Sequence, residues 1–165
     1  MIFQGRAWKF GDNIPTDVIT PIAILFKPMN EIVQHVLETV NPDFPKKVQQ
    51  GDIIVAGQNF ACSSGRAIAP KAIKAAGISV VIAESFSRTF YRNAHEIGLP
   101  ILMAPGVSSE VDEGDILEAN VETGVIKNLT KGKTVQAEPS PPFLLDMLKA
   151  GGLIPYVEKV GFPSD

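Results

Sequence analysis

The sequence has few of the residues from which proteins build disulfides and metal centres. Among its 165 residues are one cysteine, Cys62, and two histidines. A single cysteine excludes an internal disulfide and is typical of a reducing cytoplasm, where we expect the protein to be located. It also excludes an iron–sulfur cluster held by this chain alone, because such clusters take about four thiolates. We therefore expect this chain itself to hold no metal and no cofactor.

An excess of positive charge and long apolar runs are also missing. The 15 Lys and Arg and 18 Asp and Glu give a net charge of −3, whereas a nucleic-acid-binding domain has a basic surface. The apolar run at 78–83 is much shorter than the ~20 residues of a membrane-spanning helix. The first residues lack the pattern of a secretory signal, and Walker, dinucleotide-binding and zinc-ligand motifs are absent. The sequence thus predicts a globular protein that binds neither nucleic acid nor membrane.

The middle of the chain alternates short apolar strands with helices. Ile53–Ala56 and Ile78–Ala83 are continuous apolar runs, which are typical of strands covered on both faces. Helices are predicted over Arg66–Ala76, which Gly77 ends, and over Ser87–Ile97. Because a strand–helix–strand connection favours parallel neighbours, this part predicts a parallel sheet.

The two ends of the chain have a different pattern, with prolines early and glycine-punctuated alternation late. We predict, in order, a strand over Ile2–Phe10, a structured loop over Pro15–Pro28, a helix over Glu31–Val40 that Asn30 caps, antiparallel hairpins around Ile116–Ala119 and Val125–Lys127, and a helix over Phe143–Ala150. The fold class is therefore α/β. We expect one domain over residues 1–165, with a mixed sheet, flanking helices and a C-terminal hairpin region.

The segment Gly57–Gly65 is the best candidate for chemistry, because it follows a predicted buried strand and precedes a predicted helix. Backbone N–H groups and the positive end of a helix dipole at such a place favour an anion. Ser63, Ser64 and Arg66 lie there together, and arginine can bind a carboxylate with two parallel hydrogen bonds. On these residues alone, the alternative stays open that a serine only caps the helix and the arginine is solvated.

Five separated segments carry a resemblance to a known family. They are similar, in order and spacing, to the small subunit of 3-isopropylmalate dehydratase, a member of the aconitase superfamily; the segments are Phe10–Asp17, Asp52–Phe60, Ser85–Ala94, Glu122–Gly124 and Ala150–Ile154. The resemblance covers nearly the whole chain. It implies a swivelling β/β/α domain, equivalent to the mobile last domain of aconitase.

The resemblance also implies a partner and a reaction. The partner is a separate large subunit that holds a 4Fe–4S cluster, whose open iron binds the hydroxyl and a carboxylate of the substrate. The reaction is the stereospecific elimination and re-addition of water on a hydroxy-dicarboxylate or tricarboxylate. The single cysteine agrees with this division, because the cluster has to be on another chain.

Site residues follow from the family pattern Asn-Phe-Gly-Cys-Gly-Ser-Ser-Arg-Glu-His, which corresponds to residues 59–68. Ser64 matches the serine that acts as an alkoxide-type base, and Arg66 matches an arginine that binds a substrate carboxylate. Asp17 matches an acidic residue that lines the site. Ser63 and Gly65, on either side of Ser64, are predicted to contact the substrate.

The chain departs from this pattern around the base. Ala61 and Ser63 replace glycines, Gly65 replaces the second serine, and Ala67 and Ile68 replace Glu-His. The second serine is one possible donor to the substrate, and Glu-His supplies two polar groups behind the loop. Since the surroundings of a serine determine how easily its hydroxyl loses a proton, these changes bear on both catalysis and substrate choice.

Substrate choice in the family is associated with the stretch that here contains Phe26 and Lys27. Relatives that act on homoaconitate have an arginine there. Phe26 instead predicts an apolar wall for an alkyl substituent, while Lys27 is the residue that could still meet an extra carboxylate.

Three hypotheses for the function follow from the resemblance and its departures. The first is a subunit that isomerises 2- and 3-isopropylmalate. The second is the same chemistry on another alkylmalate, of dimethylmalate or citraconate type, or on homoaconitate. The third is a paralogue that binds a large subunit without catalysis. Retention of Ser64 and Arg66 argues against the third hypothesis, whereas the missing Glu-His argues for it.

The residue at position 26 provides a test of the substrate prediction. We expect Phe26→Arg to shift the kcat/KM preference of the reconstituted complex from isopropylmalate towards homoaconitate. The reason is that burying an unpaired carboxylate against an apolar wall costs more than the roughly 2–7 kcal/mol of a neutral polar group. The measurement compares both substrates in the wild type, Phe26→Arg and Lys27→Ala. A wild-type preference for homoaconitate that disappears in Lys27→Ala would mean that Lys27, and not Phe26, determines the choice.

Overall fold

The structure is a computed structural model that describes residues 1–161. Within that range seven strands form one sheet in the order β4-β3-β2-β1-β5-β6-β7. The strands are β1 (Ile2–Lys9), β2 (Ile53–Ala56), β3 (Val80–Ala83), β4 (Ile101–Met103), β5 (Ile116–Asn120), β6 (Val125–Asn128) and β7 (Lys133–Gln136). None of the helices in residues 1–161 has the length and apolar character to cross a membrane.

Helices cover both faces of this sheet. They are α1 (Thr16–Ile19), α2 (Met29–Ile32), α3 (Phe44–Lys47), α4 (Ile68–Ala75), α5 (Arg88–Glu96), α6 (Val107–Glu110), α7 (Pro142–Ala150) and α8 (Leu153–Val160), with short 3-10 turns at Ile22–Ile24 and Val33–His35. The α/β class and the mixed sheet with flanking helices and a C-terminal hairpin region are thereby confirmed.

Strand β1 divides the sheet into two halves of different character. On one side it pairs in parallel with β2, followed by β3 and β4, and on the other it pairs antiparallel with β5, followed by β6 and β7. Every residue of β2 and β3 is buried, as expected for parallel strands covered on both faces. In β5 and β6 buried residues alternate with more exposed ones, because one face of the antiparallel half is open to solvent.

The two faces of the sheet pack two separate apolar cores. Consecutive side chains of a strand point to opposite faces, so β2 contributes Ile54 to one core and Ile53 and Val55 to the other. The first core lies beneath α4 and α5, and the second lies beneath α6 and α7. The parallel half is thus held rigidly from both sides, and the loops at its ends are fixed in space.

The prediction of a helix over Glu31–Val40 is wrong in its length. Helix α2 begins at Met29, before the predicted cap Asn30, and a 3-10 turn then carries the chain only as far as His35. Leu37 has a left-handed backbone (φ 57°) and donates its N–H to the carbonyl of Ile19, at 3.2 Å. A contact distant in sequence therefore ends a helix that the apolar periodicity would continue.

Other boundaries differ in smaller ways from the prediction. Helix α4 starts at Ile68, two residues later than predicted, and β3 starts at Val80. The stretch 15–28, predicted as a structured loop, contains α1 and a 3-10 turn. Strand β4 and helix α8 were not predicted, since a three-residue strand and a helix after Gly152 give weak periodic signals.

A buried carboxylate ties β1 to the turn before β2. One oxygen of Asp52 accepts hydrogen bonds from the Trp8 indole N–H (2.8 Å), the Gln49 backbone N–H (2.9 Å) and the Arg6 guanidinium (3.2 Å). Asp52 is 5% exposed. This carboxylate fixes the relative position of the two strands whose carboxyl ends carry the candidate site.

Replacing Asp52 tests this connection. We expect Asp52→Ala to lower the free energy of unfolding by about 2–3 kcal/mol, because the buried Trp8 N–H loses its acceptor and a charge-assisted contact is lost. Urea titration measures the change. The matched control is Asp43→Ala, whose carboxylate is 59% exposed and pairs with Lys47 at 3.0 Å, for which less than ~1 kcal/mol is expected. Equal losses in the two variants would contradict this assignment.

Candidate active site

Two segments at the carboxyl ends of neighbouring parallel strands form the candidate site. The Thr–Asp segment (residues 12–17) follows β1, and the serine loop (residues 57–66) follows β2. Ligands of parallel sheets typically bind outside the carboxyl ends of the strands. A cavity of about 530 Å³ lies instead at the amino ends of these strands, where residues such as Gln50, Ser79 and Pro100 line it.

The two segments are joined along their length by backbone hydrogen bonds. Asn13 donates to the Gln58 carbonyl (2.7 Å), Cys62 donates to the Ile14 carbonyl (3.2 Å), and Thr16 donates to the Cys62 carbonyl (2.9 Å). The serine loop is therefore an ordered continuation of the sheet.

The side chain of Thr16 adds a second connection. Its hydroxyl lies 2.7 Å from the carbonyl oxygen of Ser64, 3.1 Å from that of Cys62 and 3.2 Å from that of Ala61. Thr16 is 1% exposed, so these carbonyls are its available acceptors. Sequence reasoning gave Thr16 no role of its own; its one signal was its position in the Thr-Asp pair.

Three predicted site residues meet in one cluster, the Ser64–Arg66–Asp17 cluster. Arg66 donates from Nε to the Ser64 hydroxyl oxygen at 2.9 Å. Its Nη2 forms an ion pair with the Asp17 carboxylate. The Arg66 side chain is 24% exposed and that of Asp17 is 49% exposed. The guanidinium of Arg66 is thus held in place by two partners, while part of the cluster stays accessible to a ligand.

The arrangement of this cluster suits a serine base and an anionic ligand. A cationic donor at the Ser64 oxygen favours the deprotonated form of the hydroxyl over the neutral form. Guanidinium has five N–H donors, so Arg66 retains donors for a ligand carboxylate beyond its bonds to Ser64 and Asp17. Asp17 holds the plane of the guanidinium, which keeps its donors oriented.

The alternative that these residues merely begin a helix is wrong. Ala67 precedes the first residue of α4, and no side chain caps that helix. Neither Ser63 nor Ser64 therefore acts as an N-cap. Arg66 is not a solvated side chain either, because it is largely buried and bonded to two partners.

Comparisons with known proteins agree over the whole fold. The Aconitase C-terminal domain family matches residues 27–105. The isopropylmalate/citramalate isomerase small subunit of Methanocaldococcus jannaschii is 53% identical over 159 residues, or 96% of this chain and 95% of that protein. The 3-isopropylmalate dehydratase small subunit of Thermodesulfovibrio yellowstonii is 49% identical over 160 residues, or 96% of this chain and 95% of that protein.

A solved structure gives the same result. The crystal structure of a 3-isopropylmalate dehydratase from Methanocaldococcus jannaschii has a TM-score of 0.91 and 43% sequence identity to this chain, covering 96% of it and 95% of that chain. This chain belongs to the family of 3-isopropylmalate dehydratase small subunits. The resemblance on which the site residues were predicted is thereby confirmed, while the roles of the individual residues stay predictions.

Backbone geometry explains two of the glycines in the pattern of this family. Asn59, Ala61 and Ser63 all have positive φ angles, of 57°, 59° and 86°. Glycine adopts such angles without steric cost, whereas other residues lose roughly 1–2 kcal/mol. The chain keeps the left-handed backbone at Ala61 and Ser63, where the family has glycine.

The third departure, Gly65, lies against helix α5. Asn93 of that helix donates from its side-chain amide to the Gly65 carbonyl at 3.3 Å. A Cβ atom at position 65 would lie 2.5 Å from the Cγ2 methyl of Thr89. The second serine of the family pattern has therefore no room here while Thr89 keeps its position.

Within the described residues, Phe26 and Lys27 form no hydrogen bond or ion pair with the Ser64–Arg66–Asp17 cluster. The Phe26 side chain is fully exposed. Lys27 lies 3.9 Å from Glu31, and within residues 1–161 neither residue is hydrogen-bonded to the cluster. An apolar wall at Phe26 therefore needs a second surface opposite it, which this chain does not provide within the described range.

Ser63 allows a direct test of the left-handed backbone. We expect Ser63→Gly to raise the free energy of unfolding by about 0.5–1 kcal/mol. Glycine removes the steric cost of the left-handed conformation in the folded chain, ~1–2 kcal/mol. This gain exceeds the ~0.4–1 kcal/mol by which the greater conformational entropy of glycine stabilises the unfolded chain. Ser63→Ala, which keeps the β-carbon, is the control and brings no gain. Urea titration that finds no difference between the two variants would contradict the strained geometry.

Proposed function

We propose that this chain is the small subunit of a heteromeric hydro-lyase that interconverts 2-isopropylmalate and 3-isopropylmalate by dehydration and rehydration. The proposal rests above all on the Ser64–Arg66–Asp17 cluster, in which a guanidinium donates to a serine hydroxyl at 2.9 Å. The names of two similar relatives, isopropylmalate/citramalate isomerase small subunit and 3-isopropylmalate dehydratase small subunit, support it.

In this reaction Ser64 is the base. Its deprotonated oxygen takes a proton from a carbon of the substrate, and the released electron pair forms the carbon–carbon double bond as hydroxide leaves the neighbouring carbon. Re-addition of water with the opposite regiochemistry gives the isomer. Arg66 stabilises the negative charge on Ser64 before the proton is taken, which is the moment when that charge is largest.

Arg66 also binds a substrate carboxylate in this proposal. An isopropylmalate is a dianion, and the remaining guanidinium donors suit a two-point contact with one of its carboxylates. In the free chain Asp17 holds the guanidinium. When substrate arrives, Asp17 keeps one edge of Arg66 fixed while the other edge binds the ligand.

A large subunit completes the site. Ser64 and Asp17 are partly open to solvent, whereas proton abstraction from carbon benefits from the exclusion of water. The apolar side chains of Ile22 (63% exposed) and Phe26 (101% exposed) are on the segment that leads away from Asp17. We infer that the large subunit covers them, and that Phe26 then faces the alkyl group of the substrate.

The cofactor is assigned to the partner. Within residues 1–161 no three His, Cys, Asp or Glu side chains are grouped so as to hold a metal ion. A 4Fe–4S cluster on the large subunit would supply a Lewis acid for the departing hydroxyl. The proposal also includes a cytoplasmic location, in keeping with the free thiol of Cys62, and one domain over residues 1–165.

Ser64→Ala in the reconstituted complex tests the assignment of the base. We expect kcat for 2-isopropylmalate to fall by at least ~10²-fold, the low end for a positioned acid–base group. Arg66→Lys should mainly raise KM, because a point-charge ammonium does not reproduce the two-point contact. Ser109→Ala is the matched control, since that exposed serine bonds only within its own turn and to neighbouring Glu110.

The same assay includes two further arms. The small chain without its partner should show no turnover and no stoichiometric iron. Near-normal turnover in Ser64→Ala together with loss in Ser63→Ala would place the base one residue earlier. Turnover by the small chain alone, or an inactive wild-type complex on both isopropylmalates, would refute the proposed function.

A further inference from the structure

Helix α5 meets the serine loop on a single face. Thr89 and Asn93 are four residues apart and therefore adjacent on the helix surface. Asn93, which is 6% exposed, donates to the Gly65 carbonyl, and the Cγ2 methyl of Thr89 faces the space above the Gly65 α-carbon. Gly65 is thus held from one side by a hydrogen bond and from above by a methyl group.

The start of α5 is itself fixed to the serine loop. The Phe60 ring packs edge-on against Phe90, with ring centroids 5.4 Å apart. Phe60 also donates its N–H to the Ser85 carbonyl (3.0 Å) and accepts from the Ser87 N–H (3.1 Å). Helix α5 therefore moves with the loop, and the position of Thr89 relative to Gly65 is well defined.

The side chain of Thr89 fills the place of a side chain at position 65. A Cβ atom built on Gly65 would lie 2.5 Å from Thr89 Cγ2, 3.1 Å from its Cβ and 3.3 Å from its Oγ1. The most favourable separation of two non-bonded carbon atoms is about 3.5–4.0 Å, so a contact of 2.5 Å is a clash. The two side chains exclude each other, so glycine at 65 and threonine at 89 form a matched pair.

We propose that Thr89 is a positioning residue for the Ser64–Arg66–Asp17 cluster. In this proposal Thr89 acts on neither the Ser64 base nor the Arg66 guanidinium directly. It holds Gly65, the residue between them. The alternation of left-handed residues at Ala61 and Ser63 leaves the loop under strain, and packing by Thr89 prevents it from relaxing at Gly65. This proposal rests on the proposed function and deepens it.

A double-mutant cycle on the reconstituted complex tests the matched pair. We expect Gly65→Ser to lower kcat/KM for 2-isopropylmalate by ~10-fold or more, because displacement of catalytic groups by about 1 Å can cost up to ~10²-fold. Thr89→Ala alone should lower kcat a few-fold and change KM little. In Gly65→Ser/Thr89→Ala the serine gains room, so this double variant should be more active than Gly65→Ser alone.

Conservative variants separate packing from the hydroxyl. Thr89→Val keeps the methyl group that faces Gly65 and should retain more activity than Thr89→Ser, which keeps the hydroxyl but loses the methyl. The matched control is Thr134→Ala, an exposed threonine of strand β7. A higher activity of Thr89→Ser than of Thr89→Val would overturn the proposal in favour of a role for the hydroxyl.

Two measurements distinguish the possible failures. The first is kcat/KM. If the wild-type complex turns over isopropylmalate but Gly65→Ser lowers kcat/KM by the same factor in the wild-type and in the Thr89→Ala background, Thr89 is not a positioning residue. If the variants couple in the thermal unfolding of the small chain but not in kcat/KM, Thr89 has only a structural role and the proposal is overturned. An inactive wild-type complex refutes the proposed function, and the unfolding cycle then still decides whether the two side chains exclude each other.

Discussion

The candidate site depends on the contact between the buried Thr16 hydroxyl and the Ser64 carbonyl, 2.7 Å apart. The serine loop contains Ala61 and Ser63 in left-handed conformations, which persist only where the surrounding structure determines them fully. Thr16 supplies that constraint, through its hydroxyl and through its backbone bond to Cys62. Because Asp17 is the next residue, the interaction that shapes the loop also brings the carboxylate to Arg66. The shape of the serine loop and the Asp17–Arg66 ion pair therefore both depend on the position of Thr16.

The sheet makes this contact possible by bringing two distant segments to one edge. Parallel pairing of β1 with β2 places their carboxyl ends side by side. The Asp52 carboxylate, which precedes β2, fixes their relative position by its hydrogen bond to Trp8 of β1. The antiparallel half does not reach the site. It pairs with the other edge of β1, so that the strand leading to Thr16 has a neighbour on both sides. The site is consequently built on the most rigid part of the fold.

How far the sequence predicts this structure depends on the range of the interactions involved. The runs at β2 and β3 were predicted because burial on both faces leaves a continuous apolar pattern. The end of helix α2 at Ile32 was not predicted, since Leu37 turns away to bond Ile19, a residue distant in sequence. The position of the serine loop between a strand and a helix singled out Ser64 and Arg66, and the family resemblance gave their roles and added Asp17. No spacing rule predicts the contact of Asp17 with Arg66. Thr16 and Thr89 were missed as parts of the site because their contacts with the serine loop join residues distant in sequence.

The departures from the family pattern change the residues of the serine loop more than its geometry, which argues against a paralogue without catalysis. Ala61 and Ser63 keep the left-handed backbone that glycine usually provides. The space of the second serine is filled by Thr89 from helix α5. Ile68, in place of the family histidine, packs against the apolar core beneath α4. The left-handed backbone at Ala61 and Ser63, with Arg66 still bonded to Ser64, therefore favours an active subunit whose site has been repacked.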